Sequence, residues 1–589
     1  MSTVTPHSRT TAASLSDGND APPAALEGGV ADSSLSKTTD EESSPEPDQK
    51  PARSKLKIAL IMFALGMNVF LVALDITIIT TALPTITEYF HSSAGYAWIG
   101  SAYLLANSAA TPIWGKVSDI WGRKPILLLT NFIFLIGSLI AGLSNSIGML
   151  IAARVIQGIG GGGLIVLVNI CISDLFALRE RGAYFGIIGG VWALASTLGP
   201  IVGGAFAQKV TWRWCFYLNL PLDGVAFFII LFVLDLHTPT VPLLEGLKAI
   251  DWLGSLSVVA GTCMLLLGLE FGGVSFPWGS TTVICLIVFG VVAIGLFFVI
   301  EHWISPYPLM PLSIFSKRSN LAALGVCFFH AYVFIASSYF LPLYFQAVLG
   351  ATPILSGVYL LPTAFSVSLV SAFTGVFIKK TGQYLPCIYT GMVFMALGFG
   401  LLIDLPAKAN WAKIIIYQII AGIGVGPNFQ SPLIALLSGC QPRDTATATA
   451  AFGFVRNLGS AISVVVGTVM FQNEMGSRSQ KLRSVLGPVA SAFENGSAGA
   501  NVGIIQSLSG PQKAVAREAF ADSLSTMWIM YVAFSGAGLV LAAFVRKNVL
   551  SKTHEETKVG LEAEKEKRAA REEEKRQNMQ RNGKDASLW

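Results

Sequence analysis

The sequence predicts an all-α polytopic membrane protein, two six-helix repeats with two further spanning helices between them, and three observations predict it. First, 53% of the 589 residues are hydrophobic and only 13% charged, with a mean hydropathy of +0.60, a balance too apolar and too poor in charge for a soluble protein. Second, the apolar residues gather in unalternating runs of spanning length. Lipid offers no hydrogen-bond partner, so each run must satisfy its own backbone as a helix, and a barrel is excluded. Third, short signatures recur once at a nearly constant spacing: Leu83-Pro84 as Leu341-Pro342, Gly115 and Gly122 as Gly375 and Gly382, Gly158-Ile159-Gly160 as Gly422-Ile423-Gly424, and Leu198-Gly199 as Leu458-Gly459. Such self-similarity marks a duplicated membrane unit.

In chain order, residues 1–52 are rich in Ser, Thr, Pro and acids, poor in large apolar residues, and expected to be a disordered cytoplasmic tail. No cleavable signal precedes the first apolar run, which is too long for a signal's apolar region. Runs starting near Leu56, Ala97, Pro125, Ile147, Ala183 and Cys215 make a first six-helix bundle over 53–238. Two runs without a counterpart in either repeat start at Trp252 and Thr281 and occupy 239–303. A second bundle, 304–546, has runs starting near Asn320, Pro353, Leu385, Trp411, Ala448 and Ser525, and its long polar segment 472–524 reads as an external surface insertion. The charged segment 547–589, with Glu564/Arg568 and Glu572/Arg576 at i,i+4 spacing, reads as a solvated cytoplasmic helix, a regulatory dock being the alternative.

Basic residues set the orientation. Lys116, Arg123 and Lys124, then Arg179 and Arg181, Lys317 and Arg318, and Lys379 and Lys380 all follow even-numbered spans. The opposite loops 88–95 and 272–280 have neither Lys nor Arg, so both termini are expected in the cytoplasm. Lys209 with Arg213 and Lys408 with Lys413 run against this pattern. The sequon Asn495-Gly496-Ser497 then falls outside, as a glycosylation site. The seven cysteines lie in or beside apolar runs without a C-x-x-C pair or metal-spaced histidines, so they read as small core residues and no metal is expected. The net charge of +5 is spread over loops and tails, which excludes a nucleic-acid face.

Only the first copy of the duplicated signatures keeps a full ionisable set. Asp75 matches Val333, Asp119 matches Lys379, Arg154 matches Gln418 and Pro200 matches Ser460. Charge inside an apolar run is costly and rarely incidental, so the asymmetry points to a transporter with its coupling chemistry in the first half. Asp75 is the candidate proton carrier, since burial favours the protonated form and alternate access to water loads and unloads it; the competing reading is a helix-locking hydrogen bond. Arg154 is its candidate partner, with Gln157 one turn along the same face; the competing reading is a structural cation on backbone carbonyls. Arg456 is either a second cation or an end-of-helix snorkeller.

Gly158 to Gly163 formally fits G-x-G-x-x-G, but it continues an apolar run, so it reads as a small-residue packing face and not a dinucleotide loop. No P-loop is present: Gly115-Lys116 and Gly583-Lys584 lack the upstream glycine and the following Ser/Thr. Gly199-Pro200 should bend the fifth span. Gly115, Asp119, Gly122 and Arg123 form a short charged turn able to hold one of two packings, and with Gly199 and Pro200 they make the candidate conformational switch. Trp212, Trp214, Phe216 and Tyr217 read as interfacial belt residues. Asn107, Gln157, Tyr339, Tyr344, Gln346 and Asn428 are the candidate cavity residues, while half or more of the aromatics are expected to face lipid or core.

These residues carry a resemblance. Leu74 to Pro84 resembles the first-span signature, Gly115 to Lys124 the loop motif, Arg154 to Gly160 the fourth-span motif and Gly190 to Gly204 the fifth-span antiporter motif of the major facilitator superfamily, in its drug:proton antiporter branch with about fourteen spans. Trp212 to Asn219 and Tyr339 to Gln346 further resemble fungal exporters of toxins, drugs and secondary metabolites. The resemblance implies a major facilitator fold and proton-driven antiport of apolar or amphipathic small molecules, with no cofactor beyond the proton gradient. It implies a chain acting as a monomer in the plasma membrane, with the vacuolar membrane as alternative. A proton symporter or vacuolar carrier of siderophores or basic amino acids is the next reading, although a cationic substrate should demand more intramembrane acids than Asp75. A transporter-derived sensor fits the long tails. A membrane enzyme finds no metal-spaced His/Glu cluster and no nucleophile–base arrangement.

Overall fold

The computed structural model describes residues 54–236, 238–273, 276–494, 498–499, 501–551 and 559–586. The N-terminal tail and the sequon at Asn495 lie outside them. Among the described residues fourteen long helices follow the apolar runs: α1 Lys55–Tyr89, α2 Ser93–Trp121, α3 Arg123–Gly142, α4 Ile147–Leu175, α5 Leu178–Lys209 and α6 Asn219–Val233; α7 Trp252–Phe271 and α8 Thr281–Ile304; then α9 Arg318–Ala347, α10 Pro353–Thr381, α11 Leu385–Leu401, α12 Trp411–Gly439, α13 Thr445–Ser477 and α14 Gly510–Ala542. Thirteen of these runs, α6 taken with the turn before it, are long and apolar enough to cross a membrane. The exception is α2, whose Gly, Ser, Asn, Asp and Lys dilute its apolar content although it has 29 residues and is packed on both sides. Side chains close the free helix starts: Ser54, Ser92, Ser146, Asp251, Ser280 and Asn410 each accept a backbone N–H from the first turn.

The repeat visible in the sequence is repeated in the packing. Helix α1 packs on α5 and α6, α2 on α4, and α3 on α4 and α6; correspondingly α9 packs on α13 and α14, α10 on α12, and α11 on α12 and α14. The halves meet through α5 with α10 and α2 with α13, again a matched pair. The duplicated glycines are what let these helices touch. A Cβ on Gly115 would meet Ala450 of α13, and one on Gly375 would meet the backbone of Gly182 and Ala183 on α5. Helices α7 and α8 pair with each other, and α7 packs on α2.

Three expectations need correction. Segment 472–524 is not a plain polar insertion: α13 runs on to Ser477, a short helix Ser479–Leu486 follows, and α14 begins at Gly510 rather than near Ser525. Met475, Leu482, Leu486, Phe493, Ile505 and Phe520 are buried there, so scattered apolar residues fold over the helix ends despite the polar average. Trp212 and Phe216 are buried and not belt residues, whereas Trp214 is exposed. Arg456 lies in the body of α13, donating to the Phe429 carbonyl with its guanidinium 4.8 Å from the Phe452 ring, so it is not an end-of-helix snorkeller.

Candidate functional site

The polar centre of the first half lies where α1, α3, α4 and α6 converge. Asp75 of α1 and Arg154 of α4 form an ion pair at 0% and 1% exposure, so neither charge is shared with water. Asp75 Oδ1 also accepts from Gln157 Nε2 at 3.1 Å and from Asn219 Nδ2 at 3.0 Å. Ser138 of α3 closes the ring, its hydroxyl accepting from Gln157 at 2.8 Å and Asn219 at 3.3 Å. The guanidinium donates through Nε to the Ile99 carbonyl at 3.1 Å and through Nη1 to Gln157 Oε1 at 2.9 Å, and lies 4.4 Å from the Tyr103 ring centroid. Charge-assisted bonds of this kind stabilise a buried pair only when the remaining polar atoms are also met.

Glycines on α4 make the convergence possible. A Cβ on Gly158 would strike the Tyr103 carbonyl of α2, and one on Gly160 would come within 2.7 Å of the Phe134 backbone nitrogen on α3. Gly137 of α3 stands equally close to Gln157. The glycine run is thus a packing face between three helices, and it brings the Tyr103 ring onto Arg154.

The arrangement is a clasp: the Asp75 carboxylate ties α1 to α4 and α6 through one buried anion.

Gly199 lies at the α1–α5 crossing, where a Cβ would come within 2.8 Å of the Ile78 nitrogen. The Pro200 carbonyl accepts from Thr81 at 3.1 Å. Gly122, at φ 91°, is the single residue joining α2 to α3, a conformation that favours glycine. Arg123 binds Asp119 at 2.6 Å, Asp174 at 2.8 Å and the Ser118 hydroxyl at 2.8 Å. The tail joins this cluster, against the expectation of a solvated helix. Helix α15, Leu561–Ala586, begins with Gly560 donating to the Asp119 carbonyl at 2.8 Å. Its Glu564 pairs with Lys116, and its Lys567 with Asp119 at 3.3 Å and with Glu564 at 2.7 Å; all are buried. Arg568 pairs with Glu572 at 2.8 Å on the exposed face, and not with Glu564. Burial pushes the Glu564 carboxyl up, but Lys116 and Lys567 outweigh it and hold the group below the usual range. For Lys567 burial acts downward, and Asp119 and Glu564 hold the amine above its ordinary value.

Asn107 accepts from Asn457 of α13 at 2.6 Å, a polar contact between the halves. Tyr339 is half-buried near Gly100. Tyr344 donates to the Pro406 carbonyl at 2.7 Å, Gln346 to the Ser356 hydroxyl at 3.2 Å, and Asn428 sits at the break in α12 against Ile388 and Gly391. The structure thus unites Asp75, Arg154 and Gln157 and bonds the remaining cavity candidates elsewhere. Sequence reasoning missed Ser138, Asn219 and Tyr103, whose residue types are ordinary in spans. It also missed Asp223, fully buried on α6, and Glu270 of α7, which accepts from Ser101 at 2.9 Å beside a cleft lined by Trp98, Leu105 and Leu266. An acid inside an apolar run is a legible signal, so these two were within reach.

A family profile described as Major Facilitator Superfamily matches residues 65–464. The chain is 58% identical over 518 residues to "Efflux pump dotC" of Dothistroma septosporum, covering 88% of this chain and 89% of that protein. It is 37% identical to "Efflux pump FUS6" of Gibberella fujikuroi, with 89% and 95% covered. It is 36% identical to the "Acurin A biosynthesis cluster MFS-type transporter" of Aspergillus aculeatus, with 85% and 91% covered. Among solved structures, a bacterial homolog of the human lysosomal transporter Spinster, inward-facing and unoccupied, superposes with a TM-score of 0.54 at 16% identity, covering 85% of this chain and all of that one.

Proposed function

Because the chain belongs to the major facilitator superfamily, we propose that its buried Asp75–Arg154 clasp couples the entry of protons to the export of apolar or amphipathic small molecules, secondary metabolites among them. Export is supported by relatives named efflux pumps over nearly their whole length. Proton coupling rests on the clasp itself, an ion pair at 0% and 1% exposure whose carboxylate ties three helices together. Protonation from one side releases α1 from α4, and deprotonation on the other restores the contact, so a proton crosses with each change of access. The protein acts as a monomer in the plasma membrane with both tails in the cytoplasm.

The test uses the purified protein in sealed vesicles with an imposed pH gradient and a panel of fluorescent apolar and amphipathic probes. Accumulation should follow the gradient, stop when an uncoupler collapses it, and ignore ATP. Flux that persists without the gradient and needs hydrolysable ATP would overturn the reading. A second reading, cationic amphiphiles as substrates, is favoured by Asp223 and Glu270, which add intramembrane acids to Asp75. Cationic members of the probe panel competing better than neutral ones would select it.

A further inference from the structure

Below the clasp, on the side where Lys57 and Arg123 lie, the same three helix faces carry a second set of buried polar groups. On α6 the buried face is Asn219, Asp223, Ala226 and Ile230, so Asp223 sits one turn from the residue that binds Asp75. On α1, Asn68 precedes Asp75 by two turns on one face, and on α3, Asn131 precedes Ser138 by two turns. Helices α1 and α3 both pack on α6 and run antiparallel to it, and the Asp75–Asn219 and Asn219–Ser138 bonds fix the register. At about 1.5 Å per residue, Asp223 lies about 6 Å below Asn219, and the level of Asn68 and Asn131 about 4.5 Å further on.

All three side chains are at 0% exposure and incompletely bonded. Neither oxygen of Asp223, neither polar atom of the Asn68 amide, and not the Asn131 carbonyl oxygen has a protein partner; the Asn219 carbonyl oxygen between the two levels is also free. Buried polar groups left open in this way are met by internal water. The titratable and charged groups on the elements packed against α6 are Asp75 one turn outward, Cys215 and Tyr217 on the short helix Trp214–Tyr217, Glu88 and Tyr89 at the far end of α1, and Lys55, Lys57, Arg123 and Lys124 at the basic end; among the described residues none bonds either oxygen of Asp223. A dry, ionised and unpaired carboxylate is too costly at this depth, so Asp223 holds a proton or shares one with water.

We propose that Asp223 is a second proton-binding residue, which with Asn68, Asn131 and enclosed water carries protons between Asp75 and the basic end of the first half. A protonated Asp75 gives its proton to the water chain and becomes the anion that pairs again with Arg154, while Asp223 accepts a proton on one side as it releases its own on the other, so Asp223 stays neutral and one proton leaves at the basic end. This rests on the proton-coupled reading above.

Infrared difference spectra of the purified protein in lipid nanodiscs, taken as the bath is brought from mildly acidic to alkaline, read the proton directly. A protonated-carboxyl band present at neutral pH should vanish in Asp223→Asn and persist in Asp75→Asn; a spectrum with no band that Asp223→Asn removes overturns the proposal. Should Asp223→Asn not fold, a carbodiimide that attacks protonated buried carboxyls should leave an adduct on wild-type Asp223 by mass spectrometry, and an unmodified Asp223 overturns it equally. In the vesicle assay Asp223→Asn should slow gradient-driven accumulation on the order of a hundredfold, and Asp223→Glu should restore the rate with a displaced pH profile. A wild type with no gradient dependence sinks the coupling reading and the relay with it. A coupled wild type whose Asp223→Asn variant is unimpaired sinks the relay alone.

Discussion

Removing either charge of the clasp should be more harmful to the fold than removing both. Asp75→Asn leaves Arg154 with the Ile99 carbonyl at 3.1 Å, Gln157 at 2.9 Å and the Tyr103 ring at 4.4 Å, but with no anion at 1% exposure. Arg154→Gln leaves Asp75 with two neutral donors and no cation. Breaking a buried pair from one side costs about 3–5 kcal/mol, and Asp75→Asn should lie at the lower end because the amide oxygen still accepts from Gln157 and Asn219. The double variant strands no charge and should cost less than either single change, so the interaction term of the cycle should exceed the larger single loss of about 3–5 kcal/mol, a hundredfold or more in the folded population on the scale of about 1.4 kcal/mol per tenfold. Thermal melts of the purified variants followed by tryptophan fluorescence would rank the double variant above the weaker single one. All three should lose gradient-driven accumulation, and Val333, at the matched position of the second half, offers no replacement acid. Single losses that simply add in the double variant would refute the clasp. Full uphill export by Asp75→Asn at wild-type expression would show that the proton travels elsewhere.

Asn495→Gln should abolish an endoglycosidase-sensitive mobility shift of the protein from its native host; labelling of a Cys at 495 only after permeabilisation would reverse the topology. Truncation ahead of residue 559 should expose Lys116, now at 1%, so that Lys116→Cys reacts with an impermeant maleimide faster by about tenfold or more, the docking contacts being of ordinary local strength; equal rates would mean that α15 does not seal the site. Because the Glu564 carboxyl is held below its free range, its contribution to docking is present at neutral pH and lost as pH falls through that lowered value, while Lys567, held above its free value, lets go only as pH rises past the amine range. Docking of α15 in the unmutated chain, read by the hydrogen-exchange protection of the Gly560 amide, should therefore hold through neutral pH and fail in acid; release in mild alkali contradicts both shifts. Gly160→Val should destabilise by about 1–3 kcal/mol or more, because the added atoms meet the Phe134 backbone at 2.7 Å and cannot be moved aside; unchanged melting would remove the tight α3–α4 contact from the account.

Most of the long helices, thirteen of them long and apolar enough to span, were legible because the cost of exposing backbone in lipid forces each apolar run into one helix, and run length needs no knowledge of neighbours. Asp75 and Arg154 were legible for the same reason, since a charge in such a run stands out whatever surrounds it. Asp223 and Glu270 carried the same signal; they were passed over because they fall outside the duplicated signatures that directed attention to the first copy. Segment 472–524 departs from the expectation because its composition averages polar, although Met475, Leu482, Phe493 and Phe520 fold inward.

Local and periodic features follow from the residue order alone: which segments are helices, that the unit is doubled, where charge enters the apolar runs, and that the glycines of α4 mark close packing. Which residues meet across the chain is settled by packing. Ser138 and Asn219 look like any polar residue in a span until α3 and α6 bring them onto Asp75. Glu564 is placed by helical spacing to pair with Arg568 but is buried instead against Lys116, 448 residues away in the chain. Helical periodicity reports which residues share a face of one helix; it holds no information about the distant segment that the face will touch, and the strength of an ion pair depends on that partner and on the water it excludes.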